Sequence, residues 1–234
     1  MKPILVIRHS PLDDTSLITA SLQAQAATAD ILNFWENPNL GPAESFSGII
    51  SLCGSMTLGQ SLTTARSGEV AFLKEALRVQ IPILGICAGA RALALAAGGK
   101  EVSCAKEVGW FPVHTTSALG ADLIFKSCPN HFFAFQWHAN SFEPSGEQLP
   151  LGSTIGCANQ MFRFTDNAWA VQFHPEMSGA SLEQWVKAGL DEQQIDVVTG
   201  GRILDWGPLY LDSSQSLGRL IFKNFSAAAA RVKT

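Results

Sequence analysis

Three short apolar runs, "ILVI" at 4–7, "GIISL" at 48–52 and "IPILGI" at 81–86, alternate with segments whose apolar residues recur at helical spacing. A short, continuously apolar run reads as a strand buried on both faces, and the helices between such runs are what cover those faces. The alternation restricts the chain to an α/β architecture with a largely parallel sheet. Helices are expected at 14–29, opened by Asp13 and Asp14 as caps, at 65–79, and from Ala88 directly after the third strand. Pro82 suits the start of a strand, not its middle.

The pattern changes after residue 100. Short strand-like segments at 107–114, 131–138, 153–159, 161–164 and 169–173 follow with few helical stretches between them. They read as an antiparallel extension of the same sheet. Two more helices are expected at 181–194 and 215–232, and the turn-rich segment 196–212 (Thr199-Gly200-Gly201, Gly207-Pro208) reads as a long loop or flap. With no repeat and no low-complexity linker, residues 1–234 are expected to form a single domain.

A net charge of −4 and the absence of any lysine or arginine run argue against a nucleic-acid partner. No apolar stretch approaches the ~18 residues that span a bilayer, and the first run, ending at Arg8-His9, is too short for a signal peptide. The five cysteines (53, 87, 104, 128 and 157) are scattered singly. An odd count without a secretory signal suggests reduced thiols in the cytoplasm. No C-x-x-C pair and no Cys/His spacing of a metal site is visible, so no metal and no cofactor is expected.

Cys87 is the cysteine that invites a chemical reading. It lies in G-x-C-x-G, between Gly85 and Gly89, at the junction of strand and helix. Such a junction holds a nucleophile on a strained turn. The helix aims its free N–H groups and positive end at the sulfur, favouring thiolate. The Ala88 N–H is then placed to stabilise an oxyanion. A tightly packed structural cysteine fits the same motif. A proton-transfer partner is offered by His174, which ends the strand "WAVQF" and precedes Pro175-Glu176. In an extended segment residues i and i+2 point the same way, so Glu176 can reach the imidazole and fix its tautomer.

"GICAG" followed by "AVQFHPE" resembles the class I glutamine amidotransferase family, whose triad is Cys-His-Glu. The likeness runs in order through "VIRHSPLDD", "GIISLCGSM", "PILGICAGARALALAAGG", "EVGWFPV", "FAFQWHANSFEPS", "CANQMFRF" and "AVQFHPEM". These segments are similar to the standalone branch related to the glutaminase domain of GMP synthetase. The resemblance implies a flavodoxin-like three-layer α/β sandwich with a mostly parallel central sheet and an antiparallel extension. It implies hydrolysis of the glutamine side-chain amide through a γ-glutamyl thioester, with release of ammonia. By position, Cys87 is then the nucleophile, His174 the base and acid, Glu176 its orienter, and Gly54 the second oxyanion donor beside Ala88. His138, Ala139 and Asn140 match the segment that holds the amino-acid end of glutamine, and Arg91 occupies a substrate-recognising position.

Three residues depart from the family pattern. Arg91 stands where glutamine is usual, Cys53 replaces the first glycine of the oxyanion turn, and Asn140 replaces an acidic residue. An arginine adds a fixed charge and prefers a carboxylate. Besides glutamine hydrolysis, action on another γ-glutamyl amide or peptide, and a non-catalytic scaffold or regulatory subunit, therefore stay open. The chain has no phosphate-binding G-x-x-x-x-G-K-[ST] loop, so a synthetase or acceptor subunit would be a separate protein. If the Cys53 turn faces Cys87, the two sulfurs are expected to lie within reach of a disulfide on oxidation.

Overall fold

The buried apolar runs form the centre of one sheet. The computed structural model describes residues 2–54, 66–146 and 150–231. The strands are β1 (Ile4–Arg8), β2 (Ala29–Asn33), β3 (Gly48–Ser51), β4 (Ile83–Ile86), β5 (Lys100–Thr115), β6 (His131–Glu143), β7 (Gly152–Ser153), β8 (Met161–Thr165) and β9 (Ala168–Val171). They lie in the order β2-β1-β3-β4-β9-β8-β7-β5-β6. Pairing is parallel from β2 through β9 and antiparallel from β9 through β6. The mostly parallel half and the antiparallel extension are both present, with β9 as the seam.

The helices are α1 (Ser16–Gln23), α2 (Ser67–Arg78), α3 (Ala88–Ala96), α4 (Gly179–Asp191) and α5 (Val197–Ala229). Alternation along the strands divides them between the two faces. Ile4, Val6, Ile50 and Leu84 pack with Ile18 and Leu22 of α1, Trp185 of α4 and Phe222 of α5. Leu5, Ile7, Ile49 and Ile83 pack on the other face with Phe72 and Leu73 of α2 and Leu93 of α3. This is the three-layer arrangement of a flavodoxin-like fold.

Three expectations are corrected. The segment 196–212 is not a loop: 197–212 belong to α5, which runs through Gly200, Gly201, Gly207 and Pro208. Asp196 starts it by accepting the Thr199 N–H at 2.7 Å. The first helix ends at Gln23, and 29–33 is the edge strand β2, whose mostly solvent-facing residues hide it from an apolar-run search. The 153–159 strand shrinks to β7, because Thr154–Cys157 is a turn closed by Thr154 N–H to Cys157 O at 2.9 Å. Residues 55, 56, 65 and 232, within expected segments, lie outside the described residues.

Candidate active site

Cys87 sits between β4 and α3 with φ +52°, a backbone conformation rarely adopted by a residue with a Cβ. The two glycines around it are required by close approach. A Cβ at Gly85 would lie 2.6 Å from Gly89 O, and a Cβ at Gly89 would lie 2.1 Å from Ser51 O. The G-x-C-x-G pattern thus lets the first turn of α3 press onto β4 and β3 while Cys87 is tied by its N–H to Val171 O at 2.8 Å.

The second segment leaves β9. His174 donates its backbone N–H to Phe135 O of β6 at 2.9 Å, which fixes where the imidazole starts. Its Nδ1 lies 2.7 Å from Glu176 Oε1, as the i, i+2 relation predicts. Nε2 is buried with no hydrogen-bond partner among the described residues. Burial alone would lower the His174 pKa, but the Glu176 carboxylate and its hydrogen bond hold it above the ordinary imidazole value. Trp185 of α4 packs edge-on against the ring, 4.7 Å between centroids. Gly218 of α5 backs the turn, since a Cβ there would stand 2.1 Å from Pro175 O.

The structure brings Cys87 and His174 together. Cys87 Sγ, Cys53 Sγ and a ring nitrogen of His174 lie within 4.8 Å of one another. Cys87, His174 and Glu176 are 1%, 0% and 3% exposed, so a substrate reaches them only if the covering groups move. Gln172 Nε2 lies 3.6 Å from the Cys87 sulfur and the Trp137 carbonyl lies 3.9 Å from it.

Cys53 and Cys87 are 3.2 Å apart, sulfur to sulfur, as the oxyanion-turn alignment requires. Two sulfurs this close hold one negative charge more readily than two. The Cys87 thiol hydrogen bond, aided by the Ala88 N–H, lowers Cys53 to about 6. The same contact and burial push Cys87 up. The expected oxyanion donors are therefore both engaged. Ala88 N–H serves Cys53, and Gly54 N–H donates to Asp13 Oδ1 at 3.0 Å. Asp13 does not cap α1 as expected, since the Ser16 N–H at its start donates to Asp14 Oδ1 at 2.8 Å. The other oxygen of Asp13 accepts the His9 and Ser10 N–H groups at 2.8 and 3.2 Å. Gly54 has φ +81°, and a Cβ there would lie 1.8 Å from the His9 Cβ, so no other residue fits. From beneath, Arg66 donates to Cys53 O at 3.0 Å and pairs with the buried Glu69 at 2.6 Å. Burial would raise Glu69, but Arg66 and His9 hold it far below the usual carboxylate range.

Arg91 does not turn outward. It is buried and ion-paired with Glu101, which also accepts from Asn140 Nδ2 at 3.2 Å. Two of the three departures from the family pattern thus meet on one carboxylate supplied by β5. The His138 side chain is directed instead to Cys104, Glu107 and Gln136, at 3.3, 3.1 and 3.1 Å. Ala139 is half-buried opposite an irregularity in β5. The sequence showed no Cys/His clustering, yet among the described residues two trios form: Cys53, Cys87 and His174, and Cys104, His138 and Cys157. Their members are too far apart in sequence for spacing to reveal them. Asp13, Glu101, Gln172, Trp185 and Gly218 were likewise not singled out for the site, and only Asp13, within the quoted "SPLDD", and Gln172, within the quoted "AVQFHPE", carried a local signal.

The family profile described as "Glutamine amidotransferase class-I" matches residues 16–189. A glutamine-hydrolyzing GMP synthase subunit of Methanocaldococcus jannaschii is 35% identical over 106 residues, 44% of this chain and 55% of that protein. The glutamine-hydrolyzing GMP synthase of Petrotoga mobilis is 26% identical over 181 residues, 76% of this chain and 33% of that protein. The matches thus span about half of one relative and a third of the other. A glutamine amido transferase from Methylobacillus flagellatus superposes with a TM-score of 0.83 at 19% identity, covering 97% of this chain and 95% of that one. A glutamine amidotransferase from Thermotoga maritima gives 0.79 at 22% identity, covering 96% and 97%.

Proposed function

Because the chain belongs to the class-I glutamine amidotransferase family, we propose that it hydrolyses the side-chain amide of glutamine at Cys87 and releases ammonia. One observation carries this reading. A cysteine strained at φ +52° has its sulfur within 4.8 Å of a ring nitrogen of His174, whose Nδ1 is 2.7 Å from a carboxylate. A packing cysteine needs neither the strain nor the oriented base.

In this reading the Cys87 proton passes to His174 Nε2 as Sγ bonds to the amide carbon. The tetrahedral oxyanion accepts the Ala88 N–H and, once it leaves Asp13, the Gly54 N–H. Collapse breaks the carbon–nitrogen bond, and His174 returns the proton to the leaving ammonia. Water, deprotonated by the same nitrogen, then cleaves the thioester to glutamate and free Cys87. Glu176 keeps the ring in one tautomer and supports the imidazolium. Cys53 and Asp13 must give up both amide donors when substrate enters, so the site is at rest without it.

For the substrate's amino-acid end, we infer that Glu101 supplies the carboxylate that Asn140 lacks, facing the ammonium, while Arg91 faces the α-carboxylate. The Arg91–Glu101 pair would open around the zwitterion, with the 137–139 backbone lining it. The same pair favours the second reading, another γ-glutamyl amide or peptide that carries this end group. By analogy with the Methanocaldococcus relative, named as one subunit of a GMP synthase, the ammonia would pass to a separate synthetase.

The test is ammonia and glutamate release at millimolar glutamine. Cys87→Ser is expected to lower it by at least about a thousandfold, and His174→Ala by ~10²–10⁴-fold. Release from a γ-glutamyl peptide but not from glutamine would select the second reading. No release from either substrate, with or without a synthetase, would leave a non-catalytic scaffold.

A further inference from the structure

A second group of metal-ligating side chains lies where β5, β6 and the 154–157 turn meet. The β5–β6 ladder is regular except between Ser103 and Glu107, where pairing jumps from Ser103–Asn140 to Glu107–His138. Such a bulge re-aims the side chains within it, and Cys104, half-buried, is one of these. Its sulfur stands 3.3 Å from His138 Nδ1. From the other side, the turn is locked by the Cys157 N–H to Thr154 Oγ1 bond at 3.0 Å, which presents Cys157. Gly156 lets the turn lie on the bulge, since a Cβ there would meet Glu107 Oε1 at 2.9 Å and the Ala105 Cβ at 3.0 Å.

The ligand atoms of Cys104, His138 and Cys157 lie within 4.8 Å of one another. A tetrahedral zinc with bonds of ~2.0–2.3 Å needs its ligands ~3.5–3.8 Å apart, so small side-chain adjustments suffice. The outer arrangement fits as well. His138 Nε2 lies 3.1 Å from Glu107 Oε2, and Glu107 is buried and fixed by Thr154 Oγ1 at 2.6 Å and Gln160 Nε2 at 2.9 Å. A carboxylate on the far nitrogen of an imidazole is the usual support of a metal-bound histidine.

We propose that Cys104, His138 and Cys157 bind a zinc ion, with Glu107 positioning His138 and a water as fourth ligand on the half-exposed Cys104 side. On binding, the two thiols lose their protons to solvent as the zinc–sulfur bonds form, and the two thiolates cancel the charge of the dication. His138 coordinates as neutral imidazole through Nδ1 and donates its Nε2 proton to Glu107. The ion joins three segments of chain beside Trp137, whose carbonyl faces Cys87. It would hold that strand in place.

The metal-stripped, reduced chain is titrated with Co2+, whose thiolate charge-transfer absorption reports sulfur ligation, and then with Zn2+, which displaces it. The band is expected in the unaltered chain and in Cys53→Ala/Cys87→Ala, and is lost in Cys104→Ser and Cys157→Ser. Glu107→Gln is expected to weaken zinc affinity about 10–100-fold. A measurement on the unaltered chain removes dependence on how the variants fold. Zn2+ should protect Cys104 from iodoacetamide, and a chelator should restore labelling. No band in the unaltered chain, a band that survives in both serine variants, or Cys104 labelling indifferent to zinc overturns the proposal.

Discussion

At Cys87 two sulfurs and one imidazole share one buried space, so protonation there is a collective property. Glu176 holds His174 above the ordinary imidazole value against the cost of burial. A rate that needs neutral His174 therefore vanishes below that raised pKa and grows as pH rises through it. Glu176→Gln removes the anion, so the acid limb of kcat against pH should move to lower pH while kcat itself falls. An acid limb that stays in place would show that another group sets it. The Cys53 sulfur, 3.2 Å from Cys87, must close to ~2.05 Å to bond with it. With hydrogen peroxide as oxidant, one thiol becomes a sulfenic acid and the other displaces its oxygen, giving a disulfide and two waters overall. Loss of one thiol pair, reversed by dithiothreitol and absent in Cys53→Ala, is the expected result by mass spectrometry. Peroxide that oxidises Cys87 without linking it to Cys53 would refute this.

The elements that carry the site are held by contacts between helix and turn more than by their own sequences. Gly218 allows α5 to lie on the His174-Pro175-Glu176 turn, with no room for a Cβ against Pro175 O. Gly218→Ala should therefore cost ~1–3 kcal/mol by overpacking, read as a lower urea midpoint. Because the displaced turn bears His174, glutaminase kcat should fall more than KM changes. Unaltered kcat would mean that α5 only supports the fold. The strands around Cys87 and the His-x-Glu turn were legible because their signals are local: apolar runs, two glycines around a cysteine, and an i, i+2 pair. The helix at 197–212 was not, because its glycines and proline read as turn signals. In the folded chain Gly200 and Gly207 lie against Val186 and Leu182 of α4, with Cβ positions 3.2 Å from each neighbour, so packing overrides propensity. Pro208 leaves the Leu204 carbonyl without its helical donor, and Leu204 is at the surface, where water can supply one. The engagement of Arg91 with Glu101 was hidden for a different reason: the partner comes from the start of β5, outside the strand expected at 107–114.

Over the whole molecule, the site depends on parts of the sheet that differ in pairing. Cys87 belongs to the parallel half and the 137–140 backbone to the antiparallel half, while His174 follows β9, where they join. If the halves opened independently, the Cys87–His174 approach would survive and the Trp137 contact would come and go. The packing argues otherwise. One apolar cluster includes Ile4 and Val6 of β1, Phe135 and Trp137 of β6, Trp185 of α4 and Phe225 of α5. Cooperative unfolding is the consequence of a core that cannot be divided without exposing apolar surface on both sides. Phe225 tests this because it touches the parallel half, where a Cβ on Gly48 would stand 3.2 Å from its ring, and the Trp169 ring at 6.5 Å between centroids. Phe225→Ala should cost ~3–5 kcal/mol. It should lower the urea midpoint equally when unfolding is followed by far-ultraviolet circular dichroism and by hydrogen exchange of β6 amides. If β6 amides kept the unaltered midpoint while the dichroism moved, the sheet would be two cooperative units, and closure of the site would be an equilibrium between them.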